Sequence, residues 1–380
     1  MKKVYVATKA RGFLLNLFNS NHENFKFTYE PNKIYETNTK RKILLSKLVK
    51  SRIADYCGII QRINVKNKAC DVVFSYNRFL KTKSDYIIYL ENPLALVHYS
   101  TSRGKTLLSK RKLKKYFNDP KLKSIICLSK ACYDTLNDFY VIPNSIKVEQ
   151  IYPLVKPNYL TNRNNIKAKC NQEEIKCLYI SSKFHLKGGK DILQTFNKLK
   201  ESGINNVKLN IITQVDSIEI EMINEIKKNQ NIDLFDFKFN KEELNEIYND
   251  SCILLNPTRQ DSFSLVVLEA MKSGNAILTT DLYAIPEMVI DRHNGYLTEP
   301  KYRFFNYDNM PNTFVWNNRN TTIHSNYIDL NIVNFLFEKI VHLNENREEL
   351  EKMAVNSFNK ANFHEFNENF IKKKWNGILG

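Results

Sequence analysis

Residues 252–297, CILLNPTRQDSFSLVVLEAMKSGNAILTTDLYAIPEMVIDRHNGYL, gather the side chains best placed to do chemistry. The run reads as a strand ending at Asn256, a polar loop holding Pro257 and Asp261, and a helix of about ten residues opening near Ser264. Ser264 is the predicted N-cap and Gly274 the predicted C′ residue. A helix that follows a strand of a parallel sheet turns its first N–H groups and its positive dipole end toward the crevice above the strand ends. A phosphate binds in such a place. Glu269 lies inside the helix among Leu265, Val266, Val267, Leu268, Ala270 and Met271, so its carboxylate is expected to be partly buried and to need a partner. Two carboxylate oxygens suit the vicinal hydroxyls of a ribose. An exposed helix glutamate, or one paired with a nearby lysine, fits the same spacing.

A second run, YISSKFHLKGGKDIL at 179–193, reads as a strand, a short loop with Lys183 and Lys187, and a helix opened by Gly188 and Gly189. Lysines beside a glycine-rich helix entrance would meet a diphosphate, because glycine lets the backbone come close and the ammonium neutralises charge. The plain alternative is a solvated loop lysine. Other chemistries lack their signatures. No two aspartates stand two residues apart, so the metal-binding Asp-x-Asp of single-domain glycosyltransferases is absent. There is also no GxGxxG, Walker lysine loop, GxSxG or HExxH.

Taken together, these runs resemble the donor site of the family 4 retaining glycosyltransferases, also known as glycosyl transferases group 1. That family has an acidic residue, a Gly-Phe-type turn, seven intervening residues to a second Glu, then Ala-Met and a Gly. Here the matching residues are Asp261, Ser262, Phe263, Glu269, Ala270, Met271 and Gly274, continued by Ile285, Pro286 and Glu287 and by Asn294, Gly295, Tyr296 and Leu297. Asp261 stands where Glu is usual and Ser262 where Gly is usual. Lys187 matches the family lysine, whereas Ser181 and Ser182 replace the usual Gly and Arg or Lys, leaving Lys183 as the substitute cation. The stretch FKFNKEELNEIYNDSCILLNP at 237–257 resembles the link from a nucleobase pocket to the donor loop. The resemblance covers 175–297 well, 330–380 loosely and the first half by architecture alone.

The resemblance implies an α/β protein of the GT-B kind, with two Rossmann-like domains facing each other across a cleft. It also implies site roles. Lys187, Asp261 and Glu269 would act at the reaction centre. Lys183, Gly188, Phe263, Ser264 and Leu265 would hold the diphosphate, Glu269 the ribose, and backbone groups near Phe239 and Asn240 the base. The donor would be a UDP- or GDP-linked sugar, no further cofactor or metal is expected, and the acceptor would be a glycan or a lipid-linked sugar. Catalysis would proceed by a front-face route in which the leaving phosphate helps deprotonate the acceptor. A nucleotide-sugar epimerase of the same fold and a non-catalytic binding protein are the other readings.

The elements that must position these residues follow from patterning. Short β-branched and aromatic runs, VYVAT near the start, DVVFSY at 71–76, DYIIYL at 85–90 and SIICLS at 124–129, alternate with helical periodicity. The alternation resumes with KCLYIS at 176–181, KLNIIT at 208–213, CILLNP at 252–257 and NAILTT at 275–280. Each half therefore predicts a parallel sheet covered by helices. Between them Pro143, Pro153 and Pro157 mark a linker, since proline fixes φ and lacks a donor. The expected domains are 1–155 for the acceptor, 170–360 for the nucleotide sugar, and a helix at 361–380 that could cross back to the first. Residues 300–325, with Tyr302, Phe304, Phe305, Tyr307, Phe314 and Trp316, are expected to be an ordered insertion without assigned chemistry. In the first half, Gly12 beside Arg11 occupies the place of a family Gly-rich loop, while Glu91, Asn92 and His98 fall near a sheet edge. His98 also suits a half-buried structural histidine.

The chain has 380 residues and a net charge of +17, and the excess is all N-terminal: residues 1–150 hold 29 Lys+Arg against 11 Asp+Glu. The segment Arg103 to Lys123, with Lys110, Arg111, Lys112, Lys114 and Lys115 interleaved by Leu107, Leu108, Leu113 and Phe117, could lie on an anionic membrane surface. A solvated helix face is the alternative. Nucleic acid is not an expected partner, as no zinc-finger or RNP-type signature accompanies the charge. The seven cysteines are scattered without a CxxC pair, which suggests buried thiols. With no long apolar stretch and no signal-peptide pattern at the start, the expected location is the cytoplasm, with peripheral attachment to the inner face of the plasma membrane as an option.

Overall fold

The computed structural model describes residues 1–9, 11–30, 51–66 and 69–380. It divides into two compact units, one of Met1–Val155 with Asp308–Met310 and Glu368–Gly380, the other of Lys156–Tyr307 with Pro311–Asn367.

Among the described residues of the first unit, strands β1 (Lys2–Val6), β2 (Phe25–Thr28), β4 (Val72–Tyr76), β6 (Asp85–Leu90), β7 (Leu122–Cys127) and β8 (Lys147–Gln150) form one sheet in the order β2-β1-β4-β6-β7-β8. Every pairing is parallel. β3 (Arg62–Asn64) and β5 (Phe79–Lys81) form a separate parallel pair. β6, DYIIYL, is buried from its second residue onward, as expected of a strand covered on both faces. β8 occupies part of the proline-bearing stretch expected to be a linker. It pairs with β7 from Ser124 to Cys127, so the sheet reaches one strand further than the prolines suggested. The helix Glu368–Leu379 belongs to this unit: its buried Trp375 packs 5.3 Å from Tyr89 and 6.0 Å from Phe74.

The helix Leu107–Phe117 buries Ser109, Leu113 and Phe117, spaced four apart along one face. Phe117 meets Phe79 and Tyr140 edge-on or tilted. Leu113 and Phe117 are thus core residues and not part of a membrane-facing surface, which corrects the expectation for these two. Leu107 and Leu108 remain exposed beside the basic side chains.

In the second unit β9 (Ile175–Ser181), β10 (Val207–Thr213), β11 (Ile232–Asp236), β12 (Ile253–Asn256), β13 (Ala276–Thr280) and β14 (Gly295–Thr298) form a parallel sheet in the order β11-β10-β9-β12-β13-β14. This is the doubly wound order, in which the strand order reverses beside the first strand. Helices Gly189–Glu201, Leu330–Glu345 and Arg347–Phe363 cover the sheet, and their Ile192, Phe196, Leu336, Ile340, Leu350 and Met353 enter one continuous apolar core. No helix among the described residues is long and apolar enough to cross a membrane.

Candidate active site

The switch point of the second sheet lies between β9 and β12, and the loops leaving those strands at their carboxyl ends are 182–188 and 257–264. They are the loops that carry Lys187 and Asp261. Lys187 ends a short 3₁₀ turn, His185–Lys187, and its Nζ donates to Asp261 Oδ2 at 2.6 Å and to the Gln260 carbonyl at 2.7 Å. An ammonium has three protons, so one remains for a ligand. The Arg259 amide donates to the Leu186 carbonyl at 3.1 Å, a second clasp between the loops.

The two glycines make this closeness possible. Gly188 has φ +76°, and a Cβ there would stand 2.4 Å from the Pro257 carbonyl oxygen. At Gly189 a Cβ would press into the Phe184 ring at 2.5 Å. Both positions serve loop-to-loop and helix-to-loop packing, and Gly188 is in addition the N-cap of helix Gly189–Glu201. Lys183 is exposed, with its backbone amide bonded to Ser181 Oγ at 2.9 Å.

Asp261 organises the second loop. Its Oδ1 accepts from the amides of Ser262 (2.8 Å), Phe263 (3.3 Å) and Ser264 (2.9 Å), while Oδ2 takes Lys187. Burial pushes its carboxyl up, but the Lys187 ammonium and the backbone amides outweigh that and hold it below the usual value. Two of the amides expected to face a diphosphate, those of Phe263 and Ser264, therefore already have an acceptor within the protein. The next two, of Leu265 and Val266, meet no acceptor among the described residues and open the helix Leu265–Lys272.

Ser264 sits at the N-cap position as expected, yet its side chain caps nothing. Its φ of 59° places it in the left-handed region, and its Oγ instead accepts from Asn256 Nδ2 at 3.2 Å. No side chain caps the helix; Asp261 ties the loop amides of Ser262, Phe263 and Ser264 that lead into it. The turn thus takes its positive φ at Ser264, while Ser262 has an ordinary negative φ, so a glycine is not required at 262. At the other end Gly274, with φ +62°, follows the C-cap Ser273.

Glu269 lies one turn into the same helix, half-buried, and its Oε2 accepts from Tyr248 OH at 3.0 Å. Burial pushes its carboxyl up, against the lowering effects of the Tyr248 hydrogen bond and the Lys241 charge. No lysine among the described residues pairs directly with it. Oε1 has no protein donor among the described residues, leaving one oxygen of the pair to a ligand. Asn240 is the N-cap of helix Lys241–Asp250 in a capping box with Glu243, which occupies both its side chain and its amide. Phe239, half-buried, packs edge-on to Phe235 at 5.8 Å.

Comparison with known proteins adds to this geometry. Residues 162–303 match the family described as Glycosyl transferases group 1. An uncharacterised 41.2 kDa protein in the cps region of Klebsiella pneumoniae is 29% identical over 170 residues, 43% of this chain and 44% of that protein, so the match spans less than half of the relative's length. Among solved structures, WaaG, a glycosyltransferase involved in lipopolysaccharide biosynthesis, superposes with a TM-score of 0.60 at 14% identity, covering 99% of both chains. HepE of Anabaena, in complex with UDP and glucose, gives 0.60 at 13% identity over 100% of this chain and 99% of its own. Sucrose-phosphate synthase of Thermosynechococcus elongatus gives 0.62 at 12% identity over 100% and 98%. The chain has the GT-B fold.

Within this GT-B chain, several supporting residues escaped sequence reading. Arg259, in the loop with Asp261, is buried and pairs with Asp191 of helix Gly189–Glu201 at 2.9 Å; it also donates to the Tyr327 carbonyl at 2.8 Å and stacks 3.8 Å from the Tyr327 ring. Asp191 further accepts from the Asp329 amide at 2.8 Å. Burial pushes the Asp191 carboxyl up against the Arg259 charge. The one signal was an aspartate at a position where the helical period calls for an apolar residue.

The first GT-B unit holds a polar cluster of its own at the carboxyl edge of β4 and β6. Glu91 is buried and accepts from the hydroxyls of Tyr76 and Tyr99, with Arg11 Nη2 at 3.6 Å. Asn92 caps a 3₁₀ turn through the Leu94 amide at 2.9 Å. His98 is buried and accepts from the Gln61 amide at 3.0 Å, and burial followed by the Arg78 and Arg103 charges holds it down to about 3. It is a neutral structural histidine. At Gly12 a Cβ would meet nothing within 4 Å, so that site does not require glycine for space.

Proposed function

We propose that the chain transfers a sugar from a nucleoside diphosphate sugar to a glycan or lipid-linked acceptor, with retention at the anomeric carbon and without a bound metal. The observation that carries this reading is the joining of three features at one switch point. Lys187, steadied by Asp261, keeps a proton to offer. The Leu265 and Val266 amides open the adjoining helix. One turn further, Glu269 presents Oε1. A diphosphate would meet the amides and the ammonium, and a ribose would meet Glu269. Charge grows on the departing diphosphate in the transition state, so donors already fixed against it lower the barrier.

The roles of Lys183, Gly188, Phe263 and Ser264 in this reading are indirect for the glycine and the two loop residues, which shape the loops, and electrostatic for Lys183. Backbone groups near Phe239 and Asn240 would face the base. The similarity to WaaG and to the cps-region protein supports a place in surface polysaccharide or lipooligosaccharide synthesis. HepE holds UDP and glucose, which makes UDP-sugars the first donors to try. In the same reading the basic surface of the first unit rests on an anionic membrane on the cytoplasmic side.

The test is a thermal-shift screen over UDP-, GDP-, ADP- and CMP-sugars, followed by turnover with and without acceptor. A specific donor should raise the unfolding temperature by mass action, and turnover should require acceptor. A donor altered without acceptor would point to an epimerase, and no stabilisation by any nucleotide sugar would remove the reading.

A further inference from the structure

Residues 300–325 lie almost wholly beyond the family match, which ends at 303, and those outside Asp308–Met310 build a small aromatic core in the second unit. Phe304 and Trp316 stack with centroids 4.3 Å apart, and Trp316 Nε1 donates to the Phe304 carbonyl at 2.7 Å. Phe305 stacks 4.1 Å from Tyr283, in the loop that leaves β13. An antiparallel bridge between Phe305 and Pro311 closes the base of the turn between them.

On that turn stands Tyr307, 70% exposed and yet fixed. Its hydroxyl donates to Glu299 Oε1 at 2.5 Å, and the Arg303 guanidinium lies 3.9 Å from its ring centre. Arg303 is itself largely buried and held by Asp281 at 3.4 Å and Glu299 at 3.7 Å. Folding alone does not call for this arrangement. An exposed ring adds little burial, and fixing it costs side-chain entropy. What the arrangement does achieve is a preorganised flat surface, with one ring face against the guanidinium and the other toward solvent.

We propose that Tyr307 is a stacking platform for the apolar face of a neutral sugar ring, so that the insertion forms a glycan-binding subsite. The rim decides the occupant. Two carboxylates, Asp281 and Glu299, face one guanidinium, so the rim is net negative and repels phosphates, nucleic acid and anionic lipid. Carboxylates accept from vicinal hydroxyls and the guanidinium donates to them, as a sugar standing on an aromatic ring requires. Asp281 directly follows β13, the strand beside β12, so the subsite lies at the same carboxyl edge of the sheet as Lys187 and Asp261. Its assignment to the acceptor glycan rests on the glycosyl-transfer reading; glycan binding itself does not.

The experiment is saturation-transfer NMR on the full chain with methyl glycosides of glucose, galactose and N-acetylglucosamine, using wild type, Tyr307→Ala and Tyr307→Phe. Thermal unfolding controls for folding, and the nucleotide-sugar thermal shift is recorded on the same samples. Wild type should show transfer to the protons of one sugar face. Tyr307→Ala should weaken binding roughly tenfold, while Tyr307→Phe, which keeps the ring, retains most of it. Absence of transfer with all three glycosides in wild type, or equal transfer in Tyr307→Ala, would overturn the subsite. Loss in Tyr307→Ala without any nucleotide-sugar shift in wild type would leave the subsite standing and remove the transfer reading.

Discussion

Lys187 and Asp261 meet at 2.6 Å across the two loops that leave the switch-point strands, so the ammonium and the carboxylate that gathers the amides of the second loop are one unit. Removing either disturbs the other. In the proposed reaction Lys187→Ala deletes a charge set against the leaving group, and it is expected to cut turnover roughly 100-fold with a smaller change in donor affinity. Steady-state kinetics with the donor found by thermal shift would check this, and wild-type turnover would exclude Lys187 from the site.

Asp261→Ala strips the acceptor from three amides and the partner from Lys187, and is expected to cost roughly 2–3 kcal/mol in urea unfolding. The Asp261 carboxyl is held below its ordinary value, so its stabilisation is complete above the ordinary range and is lost as pH falls through the depressed value. The stability difference between wild type and Asp261→Asn should accordingly shrink below about pH 4. A gap that stays constant down to pH 2 would contradict the pairing.

Glu269 titrates in the opposite sense. Its carboxyl is raised by burial, so the folded state holds the proton more tightly than the unfolded chain and loses stability as pH rises through the raised value. Glu269→Gln is expected to equal or exceed wild type in stability at pH 7, with no gain at pH 4. The same variant should bind nucleotide sugar at least roughly tenfold more weakly, since a neutral amide accepts less strongly. Wild-type donor affinity should fall as pH drops through the raised value and the carboxylate takes up a proton. If Glu269→Gln destabilises the protein and leaves donor affinity intact, the carboxylate is structural.

The parallel sheets and their switch point were legible because strands buried on both faces, such as DYIIYL and CILLN, read as continuous apolar runs. Helix Leu265–Lys272 and its Gly274 were legible from the apolar run and its terminating glycine. What escaped is long-range. Nothing near Ser264 reveals that the helix would go without a side-chain cap while Asp261 gathers the loop amides, because the arrangement depends on a left-handed backbone at Ser264 and on the pairing of Asp261 with Lys187, 74 positions from it. Leu113 and Phe117 look like part of a basic amphipathic surface until the Phe79 and Tyr140 rings that cover Phe117 are known. β8 was hidden by the prolines that flank it, Pro143 before and Pro153 and Pro157 after.

Arg259 and Asp191 test the same point energetically. The pair is buried, and removing one member leaves the other charged without a partner, so Arg259→Met should cost roughly 3–5 kcal/mol in urea unfolding. Adding Asp191→Asn keeps an acceptor for the Asp329 amide and removes the stranded charge. The double variant is therefore expected to recover much of the loss, a coupling that a double-mutant cycle measures directly. Additive losses would mean that Arg259 acts through its Tyr327 contacts and not through the ion pair.

The basic surface of the first unit yields the last prediction. Helix Leu107–Phe117 turns Lys110, Arg111, Lys114 and Lys115 outward and leaves Leu107 77% exposed at its start. Next to it, tied by Arg103 to Asp55 at 2.7 Å and by Lys112 to the Gly58 carbonyl at 2.9 Å, helix Arg52–Tyr56 exposes Ile53 and Tyr56 at 76% and 81%. Apolar side chains ringed by cations match the boundary between anionic headgroups and acyl chains, each cation adding roughly 1 kcal/mol near the lipid. Vesicles with anionic lipid should therefore sediment the protein far more than neutral ones, with the difference shrinking in high salt. Replacing Lys110, Arg111, Lys114 and Lys115 by Gln should abolish the difference, whereas Leu107→Ser with Leu108→Ser should weaken binding and leave the salt dependence. Equal sedimentation on neutral and anionic vesicles would make the helix a solvated face.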